Sequence, residues 1–274
     1  MKSEVTMHVS RRAILAAGAA LPALMTNPVI AQSPALDVPY VPTPQDVVDR
    51  MLDMVKPTAN DFVMDLGCGD GRMLVTAASK FGAKGRGVDL NPVRITEANE
   101  NARRANVSDK VEFMVANLFA TSIREADVLT MYLLPSVNLQ LRPRILDEMH
   151  PGARIVSHAF HMADWEPDLQ DEVRGRNLYH WIVPAKAAGK WNLYEGSTVI
   201  TLDVFQQFQK LTGAAKTEAG GTGKVTGRIK GTEVTFIVDL GNGSKTYTGK
   251  MADGMIDGGS GAGWNAAHET RIGR

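Results

Sequence analysis

The stretch Val63-Met64-Asp65-Leu66-Gly67-Cys68-Gly69-Asp70-Gly71-Arg72 constrains this chain more than any other. An apolar strand, Phe62–Leu66, runs into three alternating glycines, and a helical pattern follows over Arg72–Phe81. A strand that hands over to a helix through such a loop belongs to a parallel α/β sheet. Gly67 and Gly69 let the backbone turn sharply and approach a ligand where a Cβ would clash. Gly71 lets the helix pack closely on the sheet. Cys68 lies inside the loop and reads as a small residue filling tight space.

The rest of residues 43–160 repeats the theme. Thr43-Pro44 opens a helix, with Thr43 as its expected cap, and Val47, Val48, Met51, Leu52 and Val55 recur at helical spacing. Further strands are expected at Gly85–Leu90, Val111–Val115, Asp127–Leu133 and Ala153–Ala159. Helices are expected from Asn91-Pro92 to about Ala105 and over Val137–Met149. Alternation at this spacing implies right-handed crossovers and a parallel sheet. Beyond about residue 185 the texture changes to glycine-dense, strand-like runs, Lys190–Tyr194, Thr198–Phe208, Gly223–Ile229, Glu233–Asp239 and Lys245–Met251, with Asn242-Gly243 as a hairpin turn. These runs predict an antiparallel meander, a sandwich or a small barrel. Gly227–Gly231 and Gly249–Gly254 form a weak repeat within it.

The spacing Asp-x-Gly-x-Gly-x-Gly differs from the dinucleotide pattern G-x-G-x-x-G. Carboxylates at Asp65 and Asp70 would repel a pyrophosphate, whereas a cationic sulfonium bearing an ammonium group would be attracted. That argument favours S-adenosylmethionine over NAD. Asp89, at the end of the second strand, suits the two hydroxyls of a ribose. Ala116-Asn117-Leu118, at the end of the third, puts an amide oxygen where an adenine amino group needs an acceptor.

Asp65–Gly71, Asp89 and Asn117 together resemble, in order and spacing, the motifs of the class I S-adenosylmethionine-dependent methyltransferases. The resemblance covers about residues 40–160. It implies a Rossmann-like seven-stranded sheet, with Asp65, Gly67, Cys68 and Gly69 near the cofactor's amino-acid end, Asp89 on its ribose, and Asn117 and Leu118 near its adenine. Many members carry Asp where this chain has Asn117. A narrower similarity runs through Tyr40-Val41-Pro42-Thr43-Pro44, Met131-Tyr132-Leu133-Leu134-Pro135 and Pro151-Gly152-Ala153-Arg154-Ile155-Val156-Ser157. These segments resemble bacterial relatives of the mitochondrial lysine methyltransferases that modify an ATP synthase subunit and the adenine nucleotide carrier. Histone-lysine methyltransferases on this fold show a similar Gly-Ala-Arg-Ile-Val-Ser strand. By that similarity Tyr40 and Thr43 help close over the cofactor, and Tyr132 and Pro135 border the transferred methyl. Methyl transfer from a sulfonium needs positioning and desolvation more than acid–base groups. His158-Ala159-Phe160-His161 lacks metal-ligand spacing and is expected, with Trp165, at the rim of the acceptor pocket.

The N-terminus reads as a targeting segment. Ser10-Arg11-Arg12 precedes an apolar run to about Met25, too short to span a bilayer as a helix, and Val29-Ile30-Ala31 fits a cleavage site. The paired arginines resemble a twin-arginine signal for folded export to the periplasm; an uncleaved anchor or a misread start are the alternatives. The expected organisation is a signal over 1–31, a methyltransferase domain over 32–185 and a β-rich domain over 186–274, without an integral membrane span once the signal is removed. With 30 basic and 30 acidic residues in the chain, loss of the signal leaves a net charge of −2, which gives no footprint for nucleic acid. The single cysteine excludes an intramolecular disulfide.

Three functions stay open. One is methyl transfer to an amine, a protein lysine in particular. The second is methylation of a small molecule such as a quinone, phenol or lipid precursor. The third is an exported binding protein that keeps the fold without turnover, because S-adenosylmethionine is made in the cytoplasm and the sequence shows no source outside it.

Overall fold

The computed structural model describes residues 40–272. The expected export signal, residues 1–31, lies outside the described residues. The first helix α1 (Gln45–Val55) leads into β1 (Phe62–Leu66), α2 (Arg72–Phe81), β2 (Lys84–Asp89), α3 (Pro92–Arg104) and β3 (Val111–Val115). Then come β4 (Val128–Met131), α4 (Pro135–Glu148), β5 (Arg154–His158), β6 (Leu169–Val173) and β7 (Arg176–Ile182). Strand order is β3-β2-β1-β4-β5-β7-β6, a seven-stranded sheet in which β7 runs antiparallel to both its neighbours. The Rossmann-like sheet expected from the resemblance is therefore present.

Alternation along the central strands divides the core. Val63 points to the α1–α3 side with Leu74, Ala98 and Phe113, while Met64 and Leu66 point to the α4 side with Leu141, Ile145 and Trp181. Strands buried on both faces need this apolar run of residues. Asn91 caps α3 by accepting the Val93 N–H at 2.9 Å, with Pro92 at the first helical position. Thr43 is a correction: it does not cap α1. Pro44 occupies the cap position without a side-chain bond, and the Thr43 hydroxyl is taken by His158, 3.1 Å away.

The C-terminal part is a closed antiparallel barrel, which decides between the two expected forms. Its strands are β8 (Gly189–Glu195), β9 (Thr198–Gln207), β10 (Lys210–Thr217), β11 (Thr222–Lys230), β12 (Glu233–Asp239), β13 (Ser244–Ala252), β14 (Met255–Asp257) and β15 (Trp264–His268). Each pairs with the next, and β15 closes on β8. The short helix α5 (Glu269–Ile272) follows. Closure abolishes exposed edges and demands sharply bent strands. Gly213 marks such a bend, where an added Cβ would lie 2.0 Å from the Asp203 carbonyl oxygen. Trp191, Phe236 and Tyr247 fill the interior. The repeat seen in the sequence falls on β11 and β13, the two neighbours of β12.

Because β7 is reversed, the chain leaves the sheet at the N-terminal end of the parallel strands: Ile182 pairs with Arg154, at the start of β5. The barrel docks there. The Ala185 N–H bonds the Gly231 carbonyl at 2.8 Å, Lys186 pairs with Asp147 at 2.6 Å, and Phe208 stacks on Trp165 at 5.8 Å.

Candidate active site

A cleft opens at the other end, beyond the C-terminal edges of β1, β2 and β4. Tyr40, Thr43, Asp65, Gly67, Cys68, Gly69, Asp89, Leu118 and Tyr132 all line it. The loop after β1 is held by N–H groups of Gly67 and Cys68 on the Val88 carbonyl, 2.9 and 3.0 Å away. Gly71 has φ +75°, and a Cβ there would come within 2.6 Å of the Phe113 ring and 2.8 Å of Ala98. Only glycine lets α2 start so close to α3 and β3.

The electrostatics of the cleft are acidic. The Asp65 carboxyl is 6% exposed and accepts one hydrogen bond, from the Thr130 hydroxyl at 2.8 Å. Burial pushes its pKa up to about 7, and the negative charges of Asp89 and Asp70 add to the rise. A cationic ligand in the cleft would relieve both. Asp70 is already neutralised by Arg72, which reaches its two oxygens at 2.9 and 2.6 Å and holds the Asp70 carboxyl below its ordinary range against the opposing effect of burial. Asp89 uses one oxygen on the Gly69 N–H at 3.0 Å and the other on the Asn91 N–H at 2.8 Å. Each oxygen keeps a lone pair for a ligand hydroxyl.

Two further rings pack against Tyr132. The His158 ring lies 3.9 Å from the Tyr132 ring, and Phe160 stacks on Tyr132 at 6.3 Å. Burial pushes the His158 pKa down to about 4, with Arg176 adding to the fall, so the imidazole is neutral near pH 7. Burial likewise pushes the Cys68 thiol well up, which leaves a small apolar filler and no thiolate.

Four expected positions fall elsewhere. Asn117 is not in the cleft wall; its side-chain oxygen accepts the Phe119 N–H at 2.8 Å, closing a local turn, while Ala116 and Leu118 face the cleft. Pro135 stands outside the lining, at the first position of α4. Trp165 is fully buried against Trp181 and Phe208 and forms no rim. His161 turns away from His158 and accepts the Ala163 N–H at 2.9 Å.

Two arginines escaped the sequence reading. Arg72 donates to the Thr43 carbonyl at 2.8 Å, tying the segment before α1 to the glycine loop. Arg94 also lines the cleft, its guanidinium 4.3 Å from the Tyr40 ring centre. Both sit in the first turn of a helix that has no acidic residue there. Cations oppose the helix dipole at that end, and such a local violation is the signal that was available.

Comparison with known proteins agrees with this geometry. The model of the ANTKMT methyltransferase domain matches residues 65–169. A protein-lysine N-methyltransferase of Saccharolobus islandicus (strain REY15A) is 44% identical over 146 residues, 53% of this chain and 91% of that protein. The chain belongs to the S-adenosylmethionine-dependent methyltransferases. The adenine nucleotide translocase lysine N-methyltransferase of Mus musculus is 34% identical to this methyltransferase over 147 residues, and the match spans 63% of the mouse protein. A solved structure of an RNA methyltransferase from Salinibacter ruber, in complex with S-adenosyl-L-homocysteine, is 44% identical and covers 53% of this chain and 95% of its own, with a TM-score of 0.53. The family-model match ends before the barrel.

Proposed function

We propose that this methyltransferase acts on an amine of a protein, a lysine side chain. The observation that carries this reading is the 44% identity, over 91% of its length, to an archaeal protein named for that reaction. The acceptor side of the cleft supports it. Tyr132 lines the cleft with an aromatic face suited to an amine-bearing side chain, and His158 packed against it is neutral. S-adenosylmethionine supplies an already activated methyl group, so this chain's residues have to bind, orient and exclude water.

In this reading Asp65 takes the ammonium of the cofactor's amino-acid end, its buried charge being the one that most needs a cation. Asp89 takes the ribose hydroxyls with its remaining lone pairs, and Ala116 and Leu118 flank the adenine. Tyr40 and Thr43 close from the opposite side, with Thr43 fixed at both its carbonyl and its hydroxyl. Tyr132 borders the acceptor.

An RNA acceptor is the second reading, favoured by the 44% identity to the Salinibacter ruber protein, which is named for RNA methylation. Incubating the protein with methyl-labelled S-adenosylmethionine and a native cell extract separates the two. Label that survives nuclease and emerges as methyl-lysine after hydrolysis supports the lysine reading. Label lost to ribonuclease overturns it in favour of RNA, and label confined to the small-molecule fraction overturns both.

A further inference from the structure

We propose that Arg94 is the latch of the cofactor cleft, its guanidinium holding Tyr40 down over a bound S-adenosyl ligand and setting how long that ligand stays. The inference rests on the reading of this cleft as the S-adenosylmethionine site.

An arginine in the wall of a site built for a cation needs an explanation, because it repels the ligand that Asp65 and Asp89 attract. Its contacts supply one. One guanidinium nitrogen is tethered to Glu97 at 2.6 Å, which fixes the plane of the group. The guanidinium carbon lies 4.3 Å from the Tyr40 ring centre, well inside cation–π range. The Arg94 Nε is buried and has no hydrogen-bond partner among the described residues, and the Tyr40 ring is the face this guanidinium packs against. The charge is thus directed at Tyr40 rather than at a counter-ion in the cleft.

Tyr40 is shaped to be held. It is 40% exposed, and its edge lies over Gly69, where an added Cβ would meet the ring at 2.6 Å. Its hydroxyl end interacts with Asp70 and Arg72. Arg72 in turn carries the Thr43 carbonyl. Among the described residues Tyr40 is therefore the outermost attachment of a strap whose inner end is anchored at Thr43, and Arg94 holds it from the α3 side of the cleft wall. Loss of that contact leaves Tyr40 held only through its hydroxyl end and its edge over Gly69, and leaves the binding groups Asp65 and Asp89 untouched.

The test is release of labelled S-adenosylhomocysteine, chased by excess unlabelled ligand, from the full chain and from Arg94→Ala, Tyr40→Leu and the double variant. Arg94→Ala is expected to speed release about tenfold, within the cation–π range, and Tyr40→Leu by at least as much, because it also removes the contacts with Asp70 and Arg72. The double variant is expected to release no faster than Tyr40→Leu alone, because the Arg94 contact is already gone there. An unchanged release rate in Arg94→Ala, or effects that multiply in the double variant, overturns the latch. A wild-type protein that takes up no S-adenosylhomocysteine overturns the cofactor reading beneath it, and the two failures are thereby distinguishable.

Discussion

Replacing Asp65 with Asn should stabilise the unliganded protein while removing its grip on the cofactor. The carboxyl titrates at about 7 in the fold against an ordinary value of 3.8. The folded state therefore holds this proton more tightly than the unfolded chain does. Stability from this group is complete below about pH 4, declines as the pH rises, and is fully lost above about 7. At about 1.4 kcal/mol per pH unit, the whole loss is about 4 kcal/mol. Between pH 5.5 and 8.5 the part still to be lost is about 2 kcal/mol, or about 4–8 °C in melting temperature for a domain of this size. Asn keeps the shape and can accept the Thr130 hydroxyl, but it carries no charge to desolvate. The gap in melting temperature between Asp65→Asn and wild type should accordingly widen by that amount from pH 5.5 to 8.5. Calorimetric titration with S-adenosylhomocysteine should show the opposite preference, with binding to the variant weaker by about 10- to 100-fold for loss of a charged hydrogen-bond partner. A gap that stays constant with pH, or a variant less stable at both values, would refute the idea that buried charge at residue 65 is held in reserve for a cationic ligand.

Asp89→Ala should weaken S-adenosylhomocysteine binding by about tenfold or more, because it removes the ribose acceptor and the anchor of the Gly69 N–H together; affinity equal to wild type in the same titration would place the ribose elsewhere. Gly71→Ala introduces a Cβ 2.6 Å from Phe113 at φ +75° and should cost about 2–4 kcal/mol in denaturant unfolding; a loss below about 1 kcal/mol would mean that α3 can move away freely. Residues 1–31 fused to a folded reporter should carry it across the inner membrane in a bacterial host. Changing Arg11 and Arg12 together to Lys should stop that transport, and transport indifferent to the pair would contradict a twin-arginine signal.

The parts of the site that were legible are those where one residue type has one use. Glycines at positive φ and acids at strand ends sit at fixed spacing, so Asp65, Gly67, Gly69, Gly71 and Asp89 could be named from the chain alone. What failed to show were contacts distant in sequence. Thr43 looks like a helix cap because Pro44 follows it, yet its hydroxyl meets a histidine 115 positions away. Asn117 looks like an adenine ligand because of its strand end, yet its amide closes its own turn two residues on, a local bond that Asn forms readily. Trp165 follows β5 closely enough to suggest the pocket rim. The chain, however, bends at Ala159 and Ala163, both at positive φ, and drives the indole into the core. Strand β10 was hidden by its Gly213-Ala214-Ala215 centre, which has little strand propensity; barrel closure, a non-local constraint, makes it a strand regardless.

The position of the barrel limits what it can contribute to the chemistry. Every described residue that lines the cleft lies between Tyr40 and Leu133, on the C-terminal edge of the sheet, in the loops and first turns of α2 and α3 that follow it, or on the strap above. The barrel is fastened at the opposite edge, through Gly231 beside Gly152, Lys186 on Asp147 and Phe208 on Trp165. Among the described residues no barrel side chain lines the cleft. An acceptor that also touched the barrel would have to extend along the whole length of the strands. A protein substrate has that reach and a quinone or phenol does not, so a dependence of turnover on the barrel's outer face would itself argue for a macromolecular acceptor.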